Sequence, residues 1–293
     1  MLFRSGPFHI INNHLEASGE NVLFGGATAY IPKMVPSDIE IRGNHFFKPL
    51  SWKVDDPSYV GHHWTVKNHF ELKNARRVVV EGNLFENCWN DGQTGFSVVL
   101  TPRADPYATV ADLSFTNNVI RNSTGGVNLL GRDNNAPTRT DRQQNIRIAN
   151  NLFEQIGTEP LLQVNGVDGL VFDHNTCFHR GNIITAYGEP STRFVFTNNI
   201  VAQNQYGMTT DGGVPLGNYF PGAVIRRNAI IGGLRRGYAD NFTPARVDEL
   251  KFIDVLRRNY ALMTGSPFKN RGTDNKDAGC DFALLARALN AQT

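Results

Sequence analysis

Glu71 and Lys73 lie two residues apart in the segment HFELKN, and Arg103 follows in GFSVVLTPR. On a strand, residues two apart share a face. A carboxylate and an ammonium would then stand side by side, with a guanidinium approaching from the neighbouring strand. That grouping suits proton abstraction from a uronic acid. Removal of the C5 proton needs a base, and the developing enolate needs positive charge at the carboxylate. Lys73 or Arg103 would take the proton or hold the carboxylate, with Glu71 orienting the cation. The competing reading is an ordinary ion pair on a solvated strand face, which stabilises little.

The elements that position these residues form a series. NVLFGG, HFELKN, GFSVVLTPR, GVNLLGR, PLLQVNG, NIITAYGE and YGMTTDG all read as strands. Their outward positions add Ser97, Thr101, Asn128, Gln163, Asn165, Thr185, Tyr187, Glu189 and Thr210. Of these, Gln163, Asn165, Asn128, Tyr187 and Glu189 are the candidates for hydrogen-bonding and stacking against substrate. The strands are followed by long loops at residues 27–37, 101–111, 131–144 and 211–221. Long loops on one edge of a regular scaffold wall a groove, and a linear groove fits an extended polymer such as polysaccharide. Aromatic side chains that could stack on sugar rings are Tyr30, Trp64, Trp89, Tyr107, Tyr187, Tyr206, Tyr219 and Phe220. Trp52 reads instead as packing, within a flap over residues 48–66. Hydrolysis would need two carboxylates about 5–9 Å apart. Asp91, Asp105, Asp133, Glu189 and Asp211 are available, each equally at home in a turn.

Ahead of each groove strand runs a second pattern. Asn13, Asn44, Asn83, Asn118, Asn151, Asn175, Asn199 and Asn228 each follow a short alternating segment such as DIEIRGN or RFVFTNN. Asn151, Asn175 and Asn199 are 24 residues apart, and the other intervals are longer, as for one coil with loop insertions. Ile39/Ile41, Val78/Val80, Leu113/Phe115, Ile146/Ile148, Leu170/Phe172 and Phe194/Phe196 form the inward pairs. Asn tolerates left-handed backbone and would make the bend, while stacked Asn side chains would bond in a ladder. Two positions later Phe46, Phe85, Ile120, Phe153, Cys177 and Val201 start the next buried strand. This predicts an all-β fold, a right-handed parallel β-helix of about eight coils over residues 1–240. Residues 241–293 are then a tail packing on the solenoid. Within it DFALLARALN predicts a short helix capped by Asp281, with Phe282, Leu285 and Leu289 on one face.

These features resemble the right-handed parallel β-helix proteins of the pectate-lyase-like superfamily, over roughly residues 6–235. The tail segment NYALMTGSPFKNRGTDNKDAGCDFALL is similar to those of secreted bacterial β-helix proteins, which run along the solenoid and end by covering the last coil. The resemblance implies a polysaccharide lyase, or a glycoside hydrolase of the same fold, acting outside the cytoplasm. A non-catalytic glycan-binding or surface module is the alternative from another class. The polygalacturonase motifs NTD, GHG and RIK are absent from the sequence, and TPRADP lacks the second arginine of the pectate-lyase pattern. Both departures argue against pectin as the substrate.

Composition sets the remaining bounds. A net charge of +2 does not suit a broad nucleic-acid or anionic-membrane surface, and no apolar run nears the ~20 residues of a membrane span. Cys88, Cys177 and Cys280 imply no disulfide framework. MLFRSGPFHIINN enters the first coil without a signal peptide, and Leu2 and Phe3 read as the remainder of a strand. No cofactor is dictated by the residues; a divalent cation such as calcium is the one uronate chemistry could recruit. Among the histidines at 9, 14, 45, 62, 63 and 69, His14 and His45 follow ladder asparagines one coil apart. Strand spacing of ~4.8 Å would stack them, and adjacent imidazoles can bind a transition metal. The plainer account is a polar outward position, since no HxH or HExxH spacing occurs. His174 precedes Asn175 and reads as part of the turn hydrogen bonding.

Overall fold

Alternation of inward and outward residues, repeated coil after coil, builds three parallel sheets. The computed structural model describes residues 5–28, 31, 33–104, 106–133, 141–233 and 239–290. The first sheet runs from Phe8–Ile11 through Ser37–Arg42, Ala75–Glu81 and onward to Val224–Arg226, eight strands in chain order. A second sheet of eight runs from His14–Glu16 to Ala229–Ile231, and a third of seven from Val22–Phe24 to Met208–Thr210. Each coil contributes one strand to each sheet, except that the last gives none to the third. This is a parallel β-helix solenoid.

Register explains the core. Ile41, Val80, Phe115, Ile148, Phe172, Phe196 and Ile225 pair in sequence across the first sheet. All are buried, and so is the second-sheet column Phe46, Phe85, Ile120, Phe153, Cys177 and Val201. Phe46 and Phe85 stack with centroids 4.4 Å apart.

The asparagines form the expected ladder. Asn151 Nδ2 donates to Asn175 Oδ1 at 2.9 Å and to the carbonyls of Phe115 and Ala149. Its own Oδ1 accepts from the backbone N and Nδ2 of Asn118. The bend, however, is made one residue earlier than expected. Positive φ falls on Asn12, Gly43, Gly82, Asn117, Asn150, His174, Asn198 and Arg227. The left-handed residue turns the chain, and the ladder asparagine then points inward and saturates the turn. His174, at φ 50°, is one of these bend residues, with Nδ1 3.1 Å from Asp173 Oδ1.

Two ends of the molecule differ from expectation. The tail does not finish over the last coil. Asn241 extends the ladder as a further rung, accepting from Asn228 Nδ2 at 2.9 Å. The chain then runs back along the outer face of the second sheet, burying Phe252, Tyr260, Leu262 and Leu285 against Val119, Leu152, Ile200 and Ala229. Its helix, Phe282–Asn290, is capped by Asp281, whose Oδ1 accepts from Leu284 N at 2.9 Å. The helix passes so near the third coil that a Cβ on Gly82 would meet Ala288 O at 2.4 Å. The end of the core is closed instead by the insertion at 211–221. There Phe220 is buried 4.4 Å from Phe194, with Leu216 and Tyr219 packed beside it. Tyr219 and Phe220 therefore serve packing and not the groove, because an open solenoid end must cover its last apolar layer.

Candidate functional site

The loops leaving the third sheet return to the first on one edge, and successive loops bond to each other. Thr28 Oγ1 donates to Ala104 O at 3.0 Å, and Ala104 N donates to Asp133 Oδ2 at 3.3 Å. Beside this wall, on the outer face of the third sheet, is an open cleft of about 410 Å³. Glu71, Lys73, Arg103 and Asn128 all line it, with Gln93, Thr94, Phe96, Val99 and Thr101. Two larger hollows, about 500 and 530 Å³, lie where the tail meets the second sheet, away from these residues.

Depth divides the roles. Glu71 has only 3% of its side chain exposed, whereas Lys73 has 23% and Arg103 43%. Lys73 Nζ lies 3.3 Å from Glu71 Oε1, and Arg103 is held more loosely, 3.9 Å from Asp133. The two cations are thus what a bound molecule can reach, with Glu71 beneath them. Burial pushes the Glu71 carboxyl above its usual range; Lys73 opposes this and nearby Glu20 adds to it. Burial also works against charge on Glu20. Its own backbone amide and Lys67, 3.2 Å away, outweigh that and hold it below the usual range.

Glu20 was not singled out by the sequence pattern. It is placed by Lys48, whose buried Nζ donates to the carbonyls of Ala17, Ser18 and Gly19 and to Asn21 Oδ1, at 2.6 to 3.2 Å. Gln93 and Thr94 come from the loop before Phe96–Leu100 and were also missed, since a short polar loop carries no periodic signal.

Three oxygens on the cleft stand out. Glu71 Oε2, Thr101 Oγ1 and Asn128 Oδ1 are buried and have no hydrogen-bond partner among the described residues. Native structures pair nearly all such atoms, so each points to a missing donor. Sugar hydroxyls are donors of that kind for Thr101 and Asn128, whereas Glu71 lies against Glu20, which helps to raise its carboxyl.

The other candidates separate. Gln163 continues the outward column Glu71–Val99–Asn128–Gln163–Thr185–Thr209, half-buried on the next coil beyond Asn128. Asn165 is buried, and its Oδ1 accepts from Glu189 N at 3.0 Å, so it fastens the following turn. Tyr187 and Glu189 lie on the coil beyond that, half-buried and outside the cleft. Ser97 has the outward parity but is buried under His69, with its Oγ 2.9 Å from Nδ1. Thr210 pairs with Ala186 in the inward column, and Thr209 takes the outward place.

Asp91 is a fastener: its carboxylate binds His63 Nε2 at 2.8 Å and Val66 N at 2.7 Å, pinning the 48–66 insertion. Within that insertion Trp52 and Trp64 pack on each other at 5.6 Å. Asp211 is exposed in a turn. Tyr30, Asp105, Leu2 and Phe3 lie outside the described residues. The histidines do not cluster as one group: His69 is buried, His63 binds Asp91, and only His14 and His45 converge. No helix among the described residues is long and apolar enough to cross a membrane. No family model, curated protein or solved structure matches the chain.

Proposed function

We propose that the third-sheet cleft binds a uronate-containing polysaccharide and cleaves it by β-elimination. What carries this reading is the two unpartnered acceptors Thr101 Oγ1 and Asn128 Oδ1 beside two reachable cations. Arg103 pairs with the uronate carboxylate, for which a guanidinium fork is shaped. Lys73 Nζ, its own proton passed to the Glu71 carboxyl 3.3 Å away, takes the C5 proton. The electron pair then forms the C4–C5 double bond and expels the C4 oxygen, which takes up a proton from water, leaving an unsaturated ring. Glu71 keeps Nζ in place, and Gln163 extends the polar strip under the next sugar. Arg103, joined by Lys73 once it holds the C5 proton, supplies the charge at the carboxylate in place of calcium, because the one carboxylate among the described residues lining the cleft is already paired with Lys73. Such a substrate carries with it an extracellular or periplasmic location.

The hydrolase reading has one observation in its favour: Glu20 and Glu71 are pushed in opposite directions, the usual mark of an acid and base pair. The burial of Glu71 weighs against its touching a sugar. The test is an assay on acidic and neutral polysaccharides that follows unsaturated products and reducing ends separately. Lys73→Ala should lower kcat by ~10²-fold, as for loss of a general base. Arg103→Ala should chiefly raise KM, and a chelator should leave the rate unchanged. Reducing ends without unsaturation would favour hydrolysis. Binding without any cleavage would leave a glycan-binding module.

A further inference from the structure

His14 and His45 occupy the same place on successive strands of the second sheet, in register. On this outer face, away from the cleft, their Nδ1 atoms lie 3.2 Å apart. The rings meet at 73°, so the two nitrogens converge without the rings stacking flat. Each ring has a carboxylate on its other side. His45 Nε2 is 2.9 Å from Glu86 Oε2, and His14 Nε2 is 3.7 Å from Glu16 Oε2. Glu86 is itself steadied by Arg121 at 3.7 Å. Glu86, within hydrogen-bond distance, draws the His45 ring proton to Nε2 and leaves a lone pair at Nδ1, as a carboxylate behind a metal-bound histidine does; Glu16, at 3.7 Å from His14, is too far to form that bond. Nitrogens this close are bridged either by a proton that one ring donates to the other or by a positive centre that both bind.

We propose that this centre is a divalent transition metal, zinc or copper, bound by Nδ1 of His14 and His45. Nitrogen ligands at 2.0–2.1 Å in tetrahedral geometry lie about 3.3 Å apart, so the rings are already at bonding separation. Imidazole favours zinc and copper over calcium or magnesium. No third histidine, cysteine or carboxylate joins them among the described residues, so water completes the shell. Both strands are at the start of the described solenoid, where His14–Glu16 is paired on one side only. A metal there staples the first coil to the second.

Calorimetric titration of the tag-free chain with zinc chloride and with copper sulfate tests the site, alongside thermal unfolding. One equivalent should bind, calcium chloride should not, and zinc should raise the unfolding midpoint. His14→Ala and His45→Ala should each weaken binding at least ~10-fold, and Glu86→Gln by ~10-fold through loss of orientation. His14 is exposed, so its variant should fold normally and lose the zinc-induced rise in midpoint. Unchanged affinity in both histidine variants would place the metal elsewhere and overturn the proposal. Absence of binding to the parent chain would overturn it too, by assigning the space between the rings to a shared proton.

Discussion

His69 shows how far burial alone can move a group. Desolvation first, and the charge of Lys48 second, bring its pKa down to about 3 from 6.5. Burial brings His179 to about 4. Between about 6.5 and these values the unfolded chain holds more protons than the folded one. Stability is therefore full above that window and is lost as the pH falls through it. The thermal midpoint should decline steadily on acidification below about 6.5, and His69→Gln should flatten part of the decline. A midpoint that stays level down to the range of these folded values would show that the rings are not held neutral. Residue type and parity placed Glu71, Lys73, Arg103 and Asn128 on one face from sequence. Depth was not legible, because what covers Glu71 is Glu20 and its loop, held by a lysine from the next coil.

At the scale of the element, the ladder asparagine holds more than its own turn. Asn151 satisfies backbone carbonyls of two coils and receives a backbone N–H from the previous one. Asn151→Leu would leave those groups buried without partners, at a cost of about 1–3 kcal/mol for each group left unsatisfied. Chemical denaturation should register at least ~2 kcal/mol of lost stability; an unaltered midpoint would mean that the ladder is not a supporting element. The strands themselves were readable, since period-2 alternation survives in each coil. Parity went astray at Thr210, and exposure at Ser97. Thr210 lies where the last third-sheet strand bends toward the closing insertion, and Ser97 where a neighbouring histidine covers an outward position.

For the whole molecule, the outer face of the second sheet is a second core. The tail covers it with Leu250, Phe252, Tyr260 and Leu285. It is also stitched there by Glu154, which takes Arg121 at 2.9 Å, Arg258 at 3.1 Å and the Tyr260 hydroxyl at 3.3 Å. Deleting residues 280–293 removes Cys280, Phe282, Leu285 and Leu289 from the apolar cluster that includes Val119 and Leu152. The shortened chain should unfold at lower temperature and self-associate, as light scattering would detect, because exposed apolar strips on a sheet drive association. A monodisperse truncate of equal stability would show the segment to be dispensable.

Legible in the residues alone were the solenoid, the ladder, the inward columns, the tail helix with its Asp281 cap, and the grouping of Glu71, Lys73 and Arg103. Each of these follows from local periodicity, which one chain segment carries alone. Tertiary structure decided what periodicity cannot encode. It placed the bend on the residue before each asparagine, because stacking turns the ladder side chain inward. It laid the tail along the second sheet, because that face is apolar and the insertion at 211–221 already closes the end. It left three cleft oxygens buried without hydrogen-bond partners among the described residues. Those outcomes depend on which loops cover which coil, and loops of unequal length leave no repeat to read.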